Sequence, residues 1–553
     1  MKLKHLKLHS PFRGLPVGFE IDFQTNRFDD SQMQGFSPYC FVGLNGSGKS
    51  NLLQCLASIF YHLECIYLNF KPQGFERSAT YTNGFDAVVC HPDSYELVYY
   101  KFVNNELAEI SIFKNVGERP VVKVGNWQVD SLIIRDYLPD MVVGYSSGEN
   151  EVLSLPFFKM RFIHIDEYLN VLARQYTYAQ PEGRMIYVDK EYSQAILLTN
   201  YLMQPIEVLN PIFKTVGMKR VVSFRLIISR KRLVDLSTEF LKSSDSKEKK
   251  VELTTLLNQT LEKFKSCATT HYYDNKTQTQ YYDYWINEAT QQAFQHHFYN
   301  NPLELFKALQ VLFTLNLEHV SRQTKTELYH SDSLYVNETI PTVASEQRIV
   351  RFKEFWIEKE GVSQPILTKS LSDGEHQFLH SMGICLLLRN TETLFLLDEP
   401  ETHFNPTWRA KFISTLDECL KTSDRNPNQR ISHELLITSH SPFIISDCKP
   451  SNVFLFQKDK TTNKVEAKSA AQLGVNTWGA SIDVILNDLF GYSQTIGDLS
   501  NKVLESIDFD VIKSQEDIEN TKKTLSELNE SIEKDLILIE LNRLKKMFNA
   551  SSI

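Results

Sequence analysis

The sequence predicts an α/β fold, split in two by a mostly helical insert and followed by an amphipathic C-terminal helix. Three observations lead there. The apolar run Cys40-Phe41-Val42 ends in the glycine-rich segment Gly43 to Gly48, after which Leu53, Leu56, Ala57 and Phe60 recur at helical spacing. A second block, about 350 to 460, contains Leu394-Phe395-Leu396-Leu397 and Leu435-Leu436-Ile437, apolar runs of the kind that form strands buried on both faces. Between the blocks, Lys242 to Lys250 is a polar, charged break, followed by the helix-favouring stretches Leu253 to Phe264 and Leu303 to Leu317.

In chain order, Leu6 and Leu8 share one side of a first strand, and Phe19, Ile21 and Phe23 one side of a second, with a turn near Ser10 to Pro16. Residues 85 to 145 hold several short strand-like runs. At the other end Val511, Ile518, Leu525, Ile532 and Ile539 recur every seven residues, a stripe widened by Leu528, Leu536 and Leu541, which predicts an amphipathic helix or short coiled coil. The expected organisation is an N-terminal half over 1–220, the insert over 221–345, a C-terminal half over 346–460 and a helical tail over 461–553.

The chain has 553 residues, 42% hydrophobic and 23% charged, which fits a folded protein of several parts and not a disordered one. Its net charge of −9 argues against a general nucleic-acid coat protein. The sequence contains neither an apolar run of membrane-spanning length nor a signal-peptide pattern, and its eight cysteines form no zinc-type cluster. The expectation is a cytoplasmic protein with reduced thiols and no membrane partner.

Gly43-Leu-Asn45-Gly46-Ser-Gly48-Lys49-Ser50, with Asn51 directly after it, fits G-x-x-x-x-G-K-[ST] between a strand and a helix, the context that motif requires. Glycines let backbone N–H groups approach phosphate oxygens, and the helix N-terminus favours negative charge. Lys49 is expected to bridge the β- and γ-phosphates of ATP, and Ser50 to hold Mg²⁺. Two regions compete to complete such a site. One has Tyr145 to Glu149 followed by Phe162-Ile-His164-Ile-Asp166-Glu167, where Arg161 and His164 interrupt the expected strand. The other has Leu371-Ser372-Asp-Gly374-Glu375-His-Gln377, then Leu394 to Pro400, then Leu435 to His440. The second set is complete. A strand buried on both faces delivers Asp398 for Mg²⁺ and Glu399 to orient or deprotonate the attacking water, and His440 ends the next strand, placed to sense the γ-phosphate. Ser372 and Gly374 begin a helix whose N-terminus suits an anion.

These residues resemble the ATP-binding-cassette ATPases of the SMC/RecF/OLD type over roughly 1–220 and 345–460. The loop 43–50 matches Walker A, LSDGEHQ at 371–377 the signature, 394–399 Walker B, and His440 the switch histidine. Pro11-Phe12-Arg13-Gly14 resembles the arginine-bearing opening of that group, which adds Arg13 to the residues implied for nucleotide binding. The resemblance implies a P-loop head that pairs with itself around two ATPs, signature residues of one copy meeting the γ-phosphate held by the other. Two departures stand out: Phe404 and Asn405 end a run that otherwise resembles DEPE-x-x-L-H-P, and Ser147 takes the place of the Q-loop glutamine. Within the group the chain looks most like the PtuA ATPases of Septu anti-phage systems, found also beside retrons. That implies a nuclease partner of the PtuB/HNH type, with nucleic acid or a retron reverse-transcriptase complex as a further partner. Two alternatives stay open: a RecF-type repair ATPase, and a scaffold in which ATP is mainly structural.

The insert is too short for long SMC arms, since about 100 helical residues folded as a hairpin reach only about 75 Å. Asp508 and Asp510 read as a solvated acidic pair, so cutting of nucleic acid is assigned to another subunit. The basic run from Lys219 to Arg232 reads as a solvated edge or a phosphate contact, and the aromatic residues between Tyr272 and Tyr299 as core or interface ahead of base stacking. His296-His297 has no ligand partner at metal spacing.

Overall fold

Seven strands form the sheet that carries the glycine-rich loop, in the order Val465–Ser469, Val453–Lys458, Tyr39–Val42, Glu434–Thr438, Thr393–Asp398, Met141–Ser146 and Met185–Tyr187. Every neighbouring pair is parallel except the edge hairpin formed by the first two. The strands YCFV, TLFLLD and ELLIT are buried at every position, as expected for a parallel sheet covered on both faces. Their register aligns the functional ends: Asp398 lies opposite both Thr438 and Ser146, and Thr438 opposite Phe41. In such a sheet a ligand binds beyond the carboxyl ends of the strands.

The computed structural model describes residues 1–553 apart from 24–35, 81, 149–152, 175–180, 234–254, 332–339, 341–342, 422–430, 460–463, 493–495 and 551–553. The charged break Lys242 to Lys250, Leu253 and Glu149 therefore lie outside the described residues. The chain divides into two compact units, Met1–Trp478 and Gly479–Ile553. Among the described residues no helix is long and apolar enough to cross a membrane.

Two antiparallel sheets complete the larger unit. The first takes the opening strands Lys2–Leu8 and Glu20–Asp22, paired with Leu6 opposite Ile21, and adds the strands between Tyr95 and Gln128. The second lies largely within the expected insert. It joins Thr270–Asp274, Thr279–Trp285, Met218–Ser229, Val350–Lys359 and Ile366–Leu367. Among its described residues the segment 221–345 has more helix than strand, in the helices Thr255–Cys267, Glu288–His297, Pro302–Thr314 and Arg322–His330, and it also carries a β-hairpin and most of a long strand that the expected helical insert did not include. The aromatics explain the difference. Tyr282 and Tyr284 are buried, and Tyr284 stacks on Phe224 of the neighbouring strand with centroids 4.3 Å apart, a half-buried packing that suits a strand pair. Tyr272 and Trp285 are exposed. Arg220 pairs with Glu358 at 2.6 Å and Arg225 with Asp283 at 2.6 Å, both across strands, so these members of the basic run face protein carboxylates.

The run Phe162 to Glu167 is also not a strand. It lies inside the helix Leu155–Arg174, where Arg161 reaches Asp189 at 2.7 Å and Asp166 accepts from Lys325 at 2.6 Å and Tyr329 at 2.7 Å.

The described residues of the smaller unit hold four helices, Ile482–Phe490, Asp498–Glu505, Gln515–Leu525 and Ile532–Ala550, where one amphipathic helix was expected. Its core is Leu504, Ile512, Ile518, Leu525 and Leu541. Of the seven-residue stripe only Ile518 and Leu525 enter it; Val511, Ile532 and Ile539 are more than half exposed. The turn between the last two helices breaks the register, so a period counted through it joins positions on different faces.

Eight cysteines are free and buried. Burial also lowers the His380 imidazole to about 4, with His376 lowering it further and Asp189 opposing. A histidine held neutral in the folded state contributes stability that is present above its unfolded value near 6.5 and lost as the pH falls toward 4. From pH 6.5 to pH 5 this is about 2 kcal/mol. His380→Gln should therefore lose less stability than wild type over that range, measured by urea unfolding at each pH; parallel losses would show that His380 does not contribute in this way.

Candidate active site

The segment from Gly43 to Gly48 is shaped by positive φ at Gly43 (141°), Gly46 (77°) and Gly48 (106°), a backbone that side-chain-bearing residues rarely adopt. Gly43 has a second constraint: a Cβ there would lie 2.4 Å from the Phe456 carbonyl oxygen. The helix Lys49–Ile66 follows, with Gly48 as its N-cap and no acidic residue in its first turn, so its free N–H groups remain available to an anion. Asn45 and Gly46 are exposed at the tip of the loop.

Lys49 is almost fully buried, and its ammonium donates to Gly43 O at 2.9 Å and Leu44 O at 3.3 Å. Burial lowers its proton affinity, while Glu399 and Asp398 oppose the effect. Ser50, one residue on, donates its hydroxyl to Asp398 Oδ1 at 2.8 Å. Asp398 is 4% exposed at the end of its strand and also accepts from Thr438 Oγ1 at 2.6 Å. Burial raises its carboxyl, and the Thr438 and Ser50 hydrogen bonds pull it back. Glu399 comes next with φ 47°, an unusual backbone for a non-glycine residue, and its N–H donates to Thr438 O at 3.2 Å and Oγ1 at 3.0 Å. That turn lifts the Glu399 side chain to the surface, where Oε1 lies 3.5 Å from His440 Nε2 and both side chains are more than a third exposed. Partial burial, with Lys49 nearby, holds His440 below its usual value, so it is neutral near pH 7.

The expected Lys49, Ser50, Asp398, Glu399 and His440 are thus one constellation at the carboxyl ends of three adjacent strands. Ser50 and Asp398 supply the oxygen donors that suit Mg²⁺, which is commonly held by one or two carboxylates together with substrate phosphates. The opening turn joins from the side. Phe12 and Leu15 exchange backbone hydrogen bonds at 3.0 and 2.8 Å, placing Leu15 against Gly48 and Gly14 against Asn51, whose amide lies 2.6 Å from where a Gly14 Cβ would be. Arg13, exposed with φ 51°, is carried on that turn.

Ser372 and Gly374 lie apart, at the start of the helix Asp373–Leu387. Ser372 is the N-cap of a capping box with Glu375, and Asp373 and Glu375 place two carboxylates in the first turn. The first turn of the helix expected to suit an anion thus carries two carboxylates of its own. Lys359, at the end of the strand Val350–Lys359, pairs with Glu375. A Cβ on Gly374 would lie 2.6 Å from the His403 carbonyl oxygen, and Gln377 Oε1 accepts from His403 N at 3.2 Å, so this helix packs on the loop that follows Glu399.

The two departures have local reasons. Phe404 is buried among Phe378, Trp408 and Phe412 with centroids 5.4 to 6.2 Å away, and Asn405 Oδ1 accepts from Trp408 N at 2.9 Å at the start of the helix Pro406–Lys421. Ser147 donates its N–H to Asp398 O at 3.2 Å and its hydroxyl to Thr402 Oγ1 at 2.8 Å, which places it beside the carboxylate turn. Thr438 and Lys359 were not singled out from the sequence: a threonine at a strand end acquires meaning only through the register that sets it opposite Asp398.

Residues 319–446 match a family model described as "AAA domain, putative AbiEii toxin, Type IV TA system". That span includes Ser372, Asp398, Glu399 and His440 and excludes the glycine-rich loop. No curated protein matches the chain. Among solved structures, the SMC head domain from Thermotoga maritima is 11% identical at a TM-score of 0.33, covering 85% of this chain and 99% of that one. An SMC head domain with an extended coiled coil, bound to the C-terminal domain of ScpA from Pyrococcus furiosus, is 10% identical at 0.30, covering 86% and 98%. The recombination mediator RecF with ATP is 12% identical at 0.26, covering 79% and 94%. Likenesses this low carry no argument about function, which rests instead on the residues of the site.

Thr438→Val keeps the volume of the side chain and removes the hydroxyl shared by Asp398 and Glu399. The loss of a buried hydrogen bond to a charged group is expected to cost about 1.5–3 kcal/mol. Urea unfolding of the variant checks this, and an unchanged midpoint would show that Thr438 does not hold the carboxylate.

Proposed function

We propose that the chain is an ABC-type ATPase head of the SMC/RecF kind that binds ATP with Mg²⁺ and hydrolyses it to ADP and phosphate. The observation that carries this reading is the 2.8 Å contact between Ser50 and Asp398, beside a buried lysine and an exposed Glu399–His440 pair. In this reading the N–H groups of Gly46 to Ser50 cradle phosphate oxygens, and Lys49 exchanges its carbonyl contacts for the β- and γ-phosphates. Asn45 and Asn51 line the same loop, and Arg13 reaches the nucleotide from the opening turn. Ser50 and Asp398 are the residues that would hold Mg²⁺, which when bound would supply charge neutralisation at the phosphates. Glu399 accepts a proton from the attacking water, and neutral His440 donates a hydrogen bond toward the γ-phosphate.

Ser372 and Gly374 complete the site of a second copy, so that two chains close around two nucleotides. Because the first turn of that helix carries Asp373 and Glu375, Lys359 is assigned the role of offsetting negative charge there when the phosphate approaches. The finer role follows from the LSDGEHQ wording and its likeness to the PtuA group: a cytoplasmic regulatory subunit of an anti-phage complex, gating an HNH-type nuclease. In the same reading the head comprises 1–220 and 346–460 with the insert between them, and the C-terminal helices serve association with the partner or with a second copy.

Lys49→Ala should abolish ATP binding, and an affinity equal to wild type in a direct titration would remove the P-loop assignment. Glu399→Gln should bind ATP normally, slow hydrolysis by on the order of 10²–10⁴-fold, and accumulate as an ATP-dependent dimer in size-exclusion chromatography. Wild-type turnover in that variant would reject Glu399 as the base. Co-purification with the product of an adjacent nuclease gene tests the regulatory role, and the absence of such a complex would leave a stand-alone ATPase.

A further inference from the structure

We infer that Glu401 is a positioning residue of this site, tying the loop that carries His440 to the loop that carries Glu399. The inference rests on the ATPase reading above and deepens it. Glu401 lies three residues past Asp398 and is 4% exposed, although it neither reaches the solvent side of the site nor belongs to the residues assigned so far. A buried carboxyl group needs a partner, and this one has Ser439, whose hydroxyl donates to it. The same hydroxyl oxygen accepts from the Ser441 N–H at 2.9 Å, and the Ser439 N–H donates to Phe41 O at 3.1 Å. His440 is the residue between these two serines, and its ring reaches Glu399 at 3.5 Å.

The geometry is that of a clamp. The switch loop is fixed on one side to the strand that leads into the glycine-rich loop, through Phe41, and on the other to the carboxylate turn, through Glu401. One hydroxyl serves two roles: it donates to Oε1 of the buried carboxyl and it shapes the turn on which His440 stands. The other groups facing Glu401 are Glu399 and Arg409, with Tyr145 and Cys40 from the neighbouring strands. Burial raises the Glu401 carboxyl to about 7, with the Ser439 bond opposing. A glutamine at 401 would present a carbonyl oxygen that accepts the same bond, whereas alanine would leave Ser439 without its acceptor.

Single-turnover ATP hydrolysis and equilibrium ATP binding, measured in the full chain for Glu401→Ala, Glu401→Gln, His440→Ala and the double variant Glu401→Ala/His440→Ala, test the clamp. Glu401→Ala should slow hydrolysis by on the order of ten- to a hundredfold, the scale of a small misplacement of a catalytic group, with ATP affinity changed less than about threefold. Glu401→Gln should recover most of that loss. In the His440→Ala background, Glu401→Ala should cost nothing further, because two residues acting through one path are not additive. Hydrolysis at the wild-type rate in Glu401→Ala, or an equal loss with and without His440, overturns the inference. Should Glu401→Ala fail to fold, Ser439→Ala removes only the hydroxyl and is subject to the same comparison. A wild-type chain that binds ATP but does not hydrolyse it overturns the ATPase reading and this inference with it; a flat Glu401→Ala beside an active wild type overturns this inference alone.

Discussion

The buried carboxylate of Asp398 is the constraint around which the larger unit is arranged. It sits at 4% exposure, where an ionised group is costly unless its oxygens are occupied. Oδ1 takes hydrogen bonds from Ser50 and Thr438, so one atom joins the start of the first long helix to the adjacent strand. Thr438 in turn receives the Glu399 N–H and stabilises the left-handed turn that sends the next side chain outward. Removing the carboxylate would therefore cut the mutual support of three segments, each contributing one group to the site.

Much of this was legible because the physics involved is local. A glycine pattern followed by Lys-Ser needs only a strand before it and a helix after it, and parallel strands covered on both faces read as continuous apolar runs. The strands ending at Asp398 and before His440, and the opening pair with Leu6 facing Ile21, were identifiable on that basis. The insert was not. Its strands are half-buried and stabilised by pairs such as Phe224–Tyr284, whose partners lie 60 residues apart and have no common period in the sequence. The C-terminal stripe misled for the opposite reason: its period is regular, but it runs through a turn, and only tertiary packing shows that Ile518 and Leu525 point inward while Ile532 and Ile539 do not.

Site residues divide the same way. Those to which the proposed function gives a chemistry of their own, such as Lys49, Ser50, Asp398 and Glu399, carry a spacing signal. Those that act by holding others, such as Thr438 and Lys359, depend on cross-strand register or on the end of a strand meeting a distant helix. At Ser372 the capping box that makes the helix begin there also places Glu375 in its first turn, a contribution the motif by itself does not display.

The strand order of the central sheet has a consequence for how the protein comes into being. Tyr39–Val42 lies between Glu434–Thr438 and Val453–Lys458, so both neighbours are made roughly 390 or more residues after it. At synthesis rates of roughly 5–20 residues per second, that delay is on the order of 20–80 s. Throughout it, an apolar strand destined to be buried on all sides has neither of its pairing edges covered by its final neighbours, the condition under which chains join edge to edge. The glycine-rich loop also cannot settle until Phe456 has emerged to pack against Gly43. A ribosome that has made the glycine-rich loop but not yet residue 456 therefore carries that loop in an unfinished setting.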